Sequence, residues 1–237
     1  MIDAIQAAQI SMLQDQSRLQ IINQNIANMQ TPGYKRQLLD AVVFEQHLRP
    51  EAATVSQGMQ NSQILTQGTL VQSQNAKDLA IAGEGFFTVQ TTEGIFYTRR
   101  GDLHINEHGE LCSATGGLIL GQAGVLRVDD NSFTIDSQGT VYIENRKVDQ
   151  LNLVQFNNIQ ALKYRGQGLF ETREVPSPIT SSTRVLQGYL EQANVKSVDE
   201  MLEMVKTSRH FEASQRVMQT ADHLLSTAIN QLGEGNV

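Results

Sequence analysis

The sequence predicts an α+β protein: long N- and C-terminal helices forming a coiled-coil-like terminal domain, with a β-rich central domain. Three observations predict it. Apolar residues step by three and four at both ends of the chain, the period of a helix face that meets another helix. Between those ends, short apolar runs alternate with glycine-bearing turns, the rhythm of antiparallel strands. The stretch "VPSPITS" at 175–181 then breaks the strand pattern ahead of the second helix.

The first helix is expected from about residue 3 to 30. Ile5, Ala8, Met12, Asp15, Leu19, Ile22, Ile26 and Met29 form a heptad seam interrupted only by Asp15. Thr31 precedes Pro32, which disfavours helical geometry at Thr31 and marks the stop. Over residues 1–30 the only charged side chains are Asp3, Asp15 and Arg18, and the other faces carry Gln and Asn. A solvated helix face usually carries Lys and Glu in i,i+4 pairs. An uncharged, amide-rich face packs against other helices without burying unpaired charge. This helix is therefore expected to be surrounded by neighbours, most of them other subunits.

Residues 35–75 are rich in Gln, Ser and Thr, and read as an extended or irregular connecting segment. The β-rich domain is expected over 76–175. There, "GFFTVQTTEGIFYTRRG" (85–101) holds two apolar runs around a turn, a hairpin pattern. "LHINEHGEL" (103–111) and "FTIDSQGTV" (133–141) repeat one scheme, with Asn106 and Asp136 opening a turn and Gly109 and Gly139 at positions of positive φ. "QLNLVQF" (150–156) and "GLFETREV" (168–175) add strands, and 176–184 is the return linker.

The second helix is expected to start where Ser197 and Glu200 have capping-box spacing. Met204, Thr207, Phe211, Ser214, Met218, Ala221, Leu225, Ala228 and Leu232 carry its seam, and Gly233 ends it. The terminal helical domain thus spans 1–34 and 185–237. Its candidate assembly interface is Ile5, Ala8, Met12, Leu19, Ile22, Asn25, Ile26, Asn28, Met29, Met204, Phe211, Met218, Leu225 and Leu232.

Chemistry is hard to find in this sequence. A net charge of −7 with scattered bases argues against a nucleic-acid partner, which needs clustered Lys and Arg. No uninterrupted apolar run is long enough to cross a bilayer, so no membrane insertion is expected. Cys112 is the only cysteine, which excludes an intrachain disulfide framework and a cysteine-based zinc site. "GEGFF" (83–87) lacks the third glycine of a dinucleotide fingerprint and reads as a glycine turn opening a strand. His104 and His108 read as exposed turn residues, and His210 and His223 as surface or interface residues of the second helix. No catalytic, cofactor or metal site is expected, and the chain is not expected to be an enzyme.

"IINQNIANMQTPGYKR" (21–36) resembles the N-terminal signature of the bacterial flagellar basal-body rod and hook protein family. Asn25, Ile26, Ala27, Asn28, Thr31, Gly33, Tyr34 and Lys35 match it, while Asn23, Gln24 and Gln30 depart from it. Residues 67–121, with "GEGFF" and "YTRRG", resemble that family's central block, and "LQGYLEQANVKSVDEMLEMV" (186–205) its C-terminal signature. The three motifs occur in the family's order and cover nearly the whole chain. The resemblance implies a structural rod subunit of proximal or distal type that polymerises helically, with the terminal helices lining a tube and the β-rich part outside. It implies copies of itself and other rod or hook subunits as partners, and export through the flagellar type III apparatus without a cleavable signal peptide. It also implies a place in the periplasm-spanning rod of the basal body. The competing readings are a hook-type axial subunit, or a secreted binding module or hydrolase outside the flagellum.

Overall fold

The computed structural model describes residues 2–44, 56–128, 133–180 and 182–234. Among them are two α-helices, α1 (Ile2–Ala27) and α2 (Ser197–Glu234), against eighteen strands. The contacts divide the chain into two compact units. The first comprises Met1–Ala27, Gln37–Ser62 and Lys196–Val237, the second Asn28–Arg36 and Gln63–Val195.

The expected coiled-coil-like terminal domain is corrected by this architecture. The chain is mostly β, and the helices are two arms that share their unit with a two-stranded ribbon, Gln37–Phe44 beside Ser56–Gln63. The helix α1 also ends at Ala27, short of residue 30. The physical reason lies in the seam. A coiled coil needs apolar knobs at successive layers, but Asp15, Thr207 and Ser214 occupy buried seam positions. Hydrogen-bonded side chains join the helices at these levels: Ser11 Oγ lies 3.4 Å from Ser214 Oγ, and Asp15 Oδ2 lies 2.6 Å from His210 Nδ1.

In the second unit the central strand, 86–91, organises a nine-stranded sheet. Its partner in the hairpin is 94–98, paired from Thr91–Gly94 back to Phe87–Thr98. On its other edge it meets 118–119 and, further along, 153–155. Side chains alternate across a strand, and here both faces are covered. Phe87 and Val89 join the larger core with Leu79, Ile81, Leu111, Ile119 and Val141. Phe86 enters an aromatic cluster with Tyr97, Phe156 and Phe170, whose rings meet tilted or edge-on at 4.7–5.9 Å.

The internal repeat folds twice into one hairpin. Strand 103–105 pairs with 111–113, and 133–135 with 140–143. In each loop the first side chain caps two backbone N–H groups at 2.9 Å: Asn106 Oδ1 accepts from His108 and Glu110, and Asp136 Oδ1 from Gln138 and Thr140. Gly109 and Gly139 take φ of +75° and +80°, a left-handed conformation that glycine adopts without strain.

Candidate functional site

The N-terminal motif is divided between the two units after Ala27. In the first unit Asn25 is buried, at 1% exposure, and its amide behaves like a strand residue. Its Oδ1 accepts from the Gln37 N–H and its Nδ2 donates to the Gln37 carbonyl, both at 2.9 Å. The same Nδ2 donates to Glu200 Oε2 at 3.1 Å, and Glu200 is fully buried. These contacts are made within one chain.

In the second unit the rest of the motif, together with the other two signature segments, builds a buried ion triad. Lys35 comes from "PGYKR", Arg99 from "YTRRG" and Glu191 from "LQGYLEQAN". All three side chains are at least nine-tenths buried. Lys35 Nζ donates to Glu191 Oε1 at 2.5 Å, and Arg99 donates to Glu191 Oε2 at 3.2 Å. Backbone groups absorb much of the remaining demand. Lys35 donates to the Thr66 carbonyl at 2.9 Å, Arg99 to the Gly83 carbonyl at 2.7 Å, and the Gly68 N–H donates to Glu191 Oε1 at 2.9 Å. The Arg99 guanidinium also lies 5.3 Å from the centre of the Phe86 ring, a cation–π distance.

Two cations share one carboxylate here, so the cluster carries a surplus positive charge in a low-dielectric site. Burial accordingly pulls Lys35 below the usual lysine value and Arg99 below the usual arginine value, against the pull of Glu191 in the opposite direction. The segments that deliver these charges approach closely. Gly33 N–H donates to the Glu191 carbonyl at 2.7 Å, and Asn194 binds the Arg36 N–H at 2.7 Å and the Ile64 carbonyl at 2.7 Å. Gly33, with φ of +67°, lies so close to the Arg99 carbonyl that a Cβ would come within 2.5 Å of it. Sealed from solvent and bonded to one another and to backbone groups, with only the Arg99 Nε left without a hydrogen bond among the described residues, the charges join three distant segments.

The expected interface residues are placed as follows. Ala8 and Ile22 are buried, and Ile5, Met12, Leu19 and Ile26 are half-buried along the same side of α1. Met204, Phe211 and Met218 are half-buried on α2, while the side chains of Leu225 and Leu232 lie outside the described residues. Asn28 and Met29 fall just past α1, where the Asn28 carbonyl and Oδ1 accept from the Thr31 N–H and hydroxyl at 3.0 and 3.2 Å. Sequence reasoning missed the triad altogether. The available signal was a glutamate and two bases embedded in glycine- and tyrosine-containing motifs. Their burial is visible only once the segments meet.

The β-rich unit is thus tied together by a buried ion cluster drawn from three separated motifs, the arrangement of a structural element. Residues 80–143 match the family described as flagellar hook protein FlgE/F/G D1 domain. Residues 186–232 match the flagellar basal body rod FlgEFG protein C-terminal family. The chain is 32% identical to the flagellar basal-body rod protein FlgG of Buchnera aphidicola from Acyrthosiphon pisum, over 89% of this chain and 92% of the relative. It is 30% identical to FlgG of Agrobacterium fabrum over 97% and 99%, and 30% identical to FlgG of Bacillus subtilis over 91% and 93%. The chain belongs to the flagellar basal-body rod protein family. It is a structural flagellar rod subunit, not an enzyme, and it is a protein of the bacterial flagellum that assembles with other rod or hook subunits.

Proposed function

We propose that the chain joins the axial rod through the outward faces of α1 and α2, which neighbouring subunits cover. The observation that carries this reading is the surface those helices leave open. On α1, Ile10 and Leu13 are at least half exposed, beside the exposed, uncharged Gln6, Gln9, Gln16 and Gln20. On α2, Val198, Met201, Leu202 and Val205 are likewise half exposed or more. Apolar residues grouped this way mark an interaction surface, and an amide-rich face can enter an interface without stranding charge. The half-buried residues Ile5, Met12, Leu19, Ile26, Met204, Phe211 and Met218 border these faces. With Asn28, Met29, Leu225 and Leu232 they make up the assembly region, whereas Ala8, Ile22 and Asn25 are buried within the chain and support it from beneath.

Contacts between unlike faces whose rotation does not close a ring generate a helical filament. The neighbours are further copies of the chain and other rod or hook subunits. The subunit reaches the periplasm-spanning rod through the flagellar type III export apparatus. The test is a Leu202→Lys/Val205→Lys double variant. Both residues are exposed in the single chain, so its stability should change by no more than about 0.5 kcal/mol per site. Incorporation into basal bodies and swimming of a complemented deletion strain should nevertheless be lost. Normal rods built from this variant would refute the reading.

A further inference from the structure

We infer that hydrogen-bonded polar pairs, rather than apolar shape, set the register of α1 against α2. Among the described residues, polar pairs that join the two helices include Ser11 with Ser214, Asp15 with His210, and Asn25 with Glu200. Each step forward along α1 is matched by an equal step back along α2, so all three share a single antiparallel register. Four of these side chains, Asp15, Asn25, Glu200 and Ser214, are buried.

The apolar part of the same contact discriminates poorly. Met12 on α1 and Met204 and Met218 on α2 are half-buried, and methionine repacks readily against changed surroundings. A slip of one heptad, about 10 Å along the axis at 1.5 Å per residue, would bring seam residues back against seam residues. It would also place Asp15 opposite Glu203 or Val217, neither of which satisfies it, although one direction of slip brings Glu200 opposite Arg18. A buried polar group left without its partner costs about 1–3 kcal/mol, which is enough to favour one register about tenfold for each broken pair. The polar pairs give up stability relative to apolar residues of similar volume and return uniqueness. Their effect is to hold the open faces of the two helices at one fixed axial level.

Disulfide trapping in the full-length chain tests this. Ser11→Cys with Ser214→Cys reports the observed register, and it keeps the other two polar pairs intact. Ser11→Cys with Thr207→Cys, or with Ala221→Cys, reports a one-heptad slip in either direction. Cys112 is buried in the other unit and stays in place. In the otherwise natural chain the first reporter should cross-link at least about tenfold more than the other two. With Asp15→Leu and His210→Leu added, helical circular dichroism should persist while the slipped reporters gain about tenfold relative to the first, the Asn25–Glu200 pair keeping the rest of the preference. Asp15→Asn, which retains an acceptor for His210, should keep the single register. Slipped reporters that gain less than about threefold in the Leu/Leu chain would overturn the inference. So would loss of helical signal both in that chain and in an Asp15→Ala/His210→Ala counterpart, because the pair would then be a requirement for packing itself.

Discussion

Replacing Glu191 with glutamine should leave Lys35 and Arg99 buried against a neutral amide. The carboxylate is 1% exposed and is the common partner of both cations, at 2.5 and 3.2 Å. Removing one member of a buried ion pair costs about 3–5 kcal/mol, because the remaining charge is held out of water without compensation. Two charges are affected here, so the upper part of that range is expected. In a chain of this size each kcal/mol moves the thermal midpoint by about 2–4 °C, giving a drop of about 6–20 °C. Lys35→Met provides the contrast. It removes a charge and its desolvation cost together and leaves Arg99 and Glu191 matched one to one, so its cost should stay below about 2 kcal/mol. Urea unfolding followed by far-ultraviolet circular dichroism measures both variants. A Glu191→Gln chain that loses no more stability than Lys35→Met would refute the idea that the carboxylate holds the cluster together.

Other consequences follow from neighbouring geometry. Burial lowers the folded-state pKa of Lys35 below 10.5, so between that lowered value and 10.5 the unfolded chain holds the extra proton. The contribution of Lys35 to stability should therefore rise with pH through this window and be lost as pH falls through the folded value. Comparing natural and Lys35→Met chains from about pH 8 to about 11 isolates that slope from the opposite one due to Tyr97, whose phenol burial raises above 10.0. Gly33→Ala combines a φ of +67° with a Cβ 2.5 Å from the Arg99 backbone, and should destabilise by about 2–5 kcal/mol in the same unfolding assay. Asn25→Leu removes three hydrogen bonds to Gln37 and Glu200 and should cost about 2–4 kcal/mol, read as faster amide exchange at Gln37.

The two helices and the repeated hairpins were legible in the sequence because their causes are local. A period of three and four marks a covered helix face, and an Asn or Asp three residues before Gly marks a turn whose side chain caps its own backbone. Periodicity does not reveal what covers the face. Asp15 stood in the first seam as an interruption and Ser214 in the second as an ordinary member, yet both supply hydrogen bonds between the helices. An amide among apolar residues likewise announces that it has partners without saying on which chain, and Asn25 finds Gln37 and Glu200 within its own. The triad was beyond reach for a different reason. Its members lie far apart in sequence, and nothing in the spacing of single charges distinguishes a buried pair from a solvated one.

The order in which the chain visits its two units has a bearing on how the molecule can be made and cut. It leaves the first unit after Ala27, returns at Gln37, leaves again after Ser62 and returns at Lys196. Neither unit can be excised as one contiguous piece. A polypeptide truncated before residue 191 lacks the anion that Lys35 and Arg99 share, although it contains most of the β-strands. Native closure of the β-rich unit must therefore wait for nearly the whole polypeptide, and contacts this distant in sequence make folding slow.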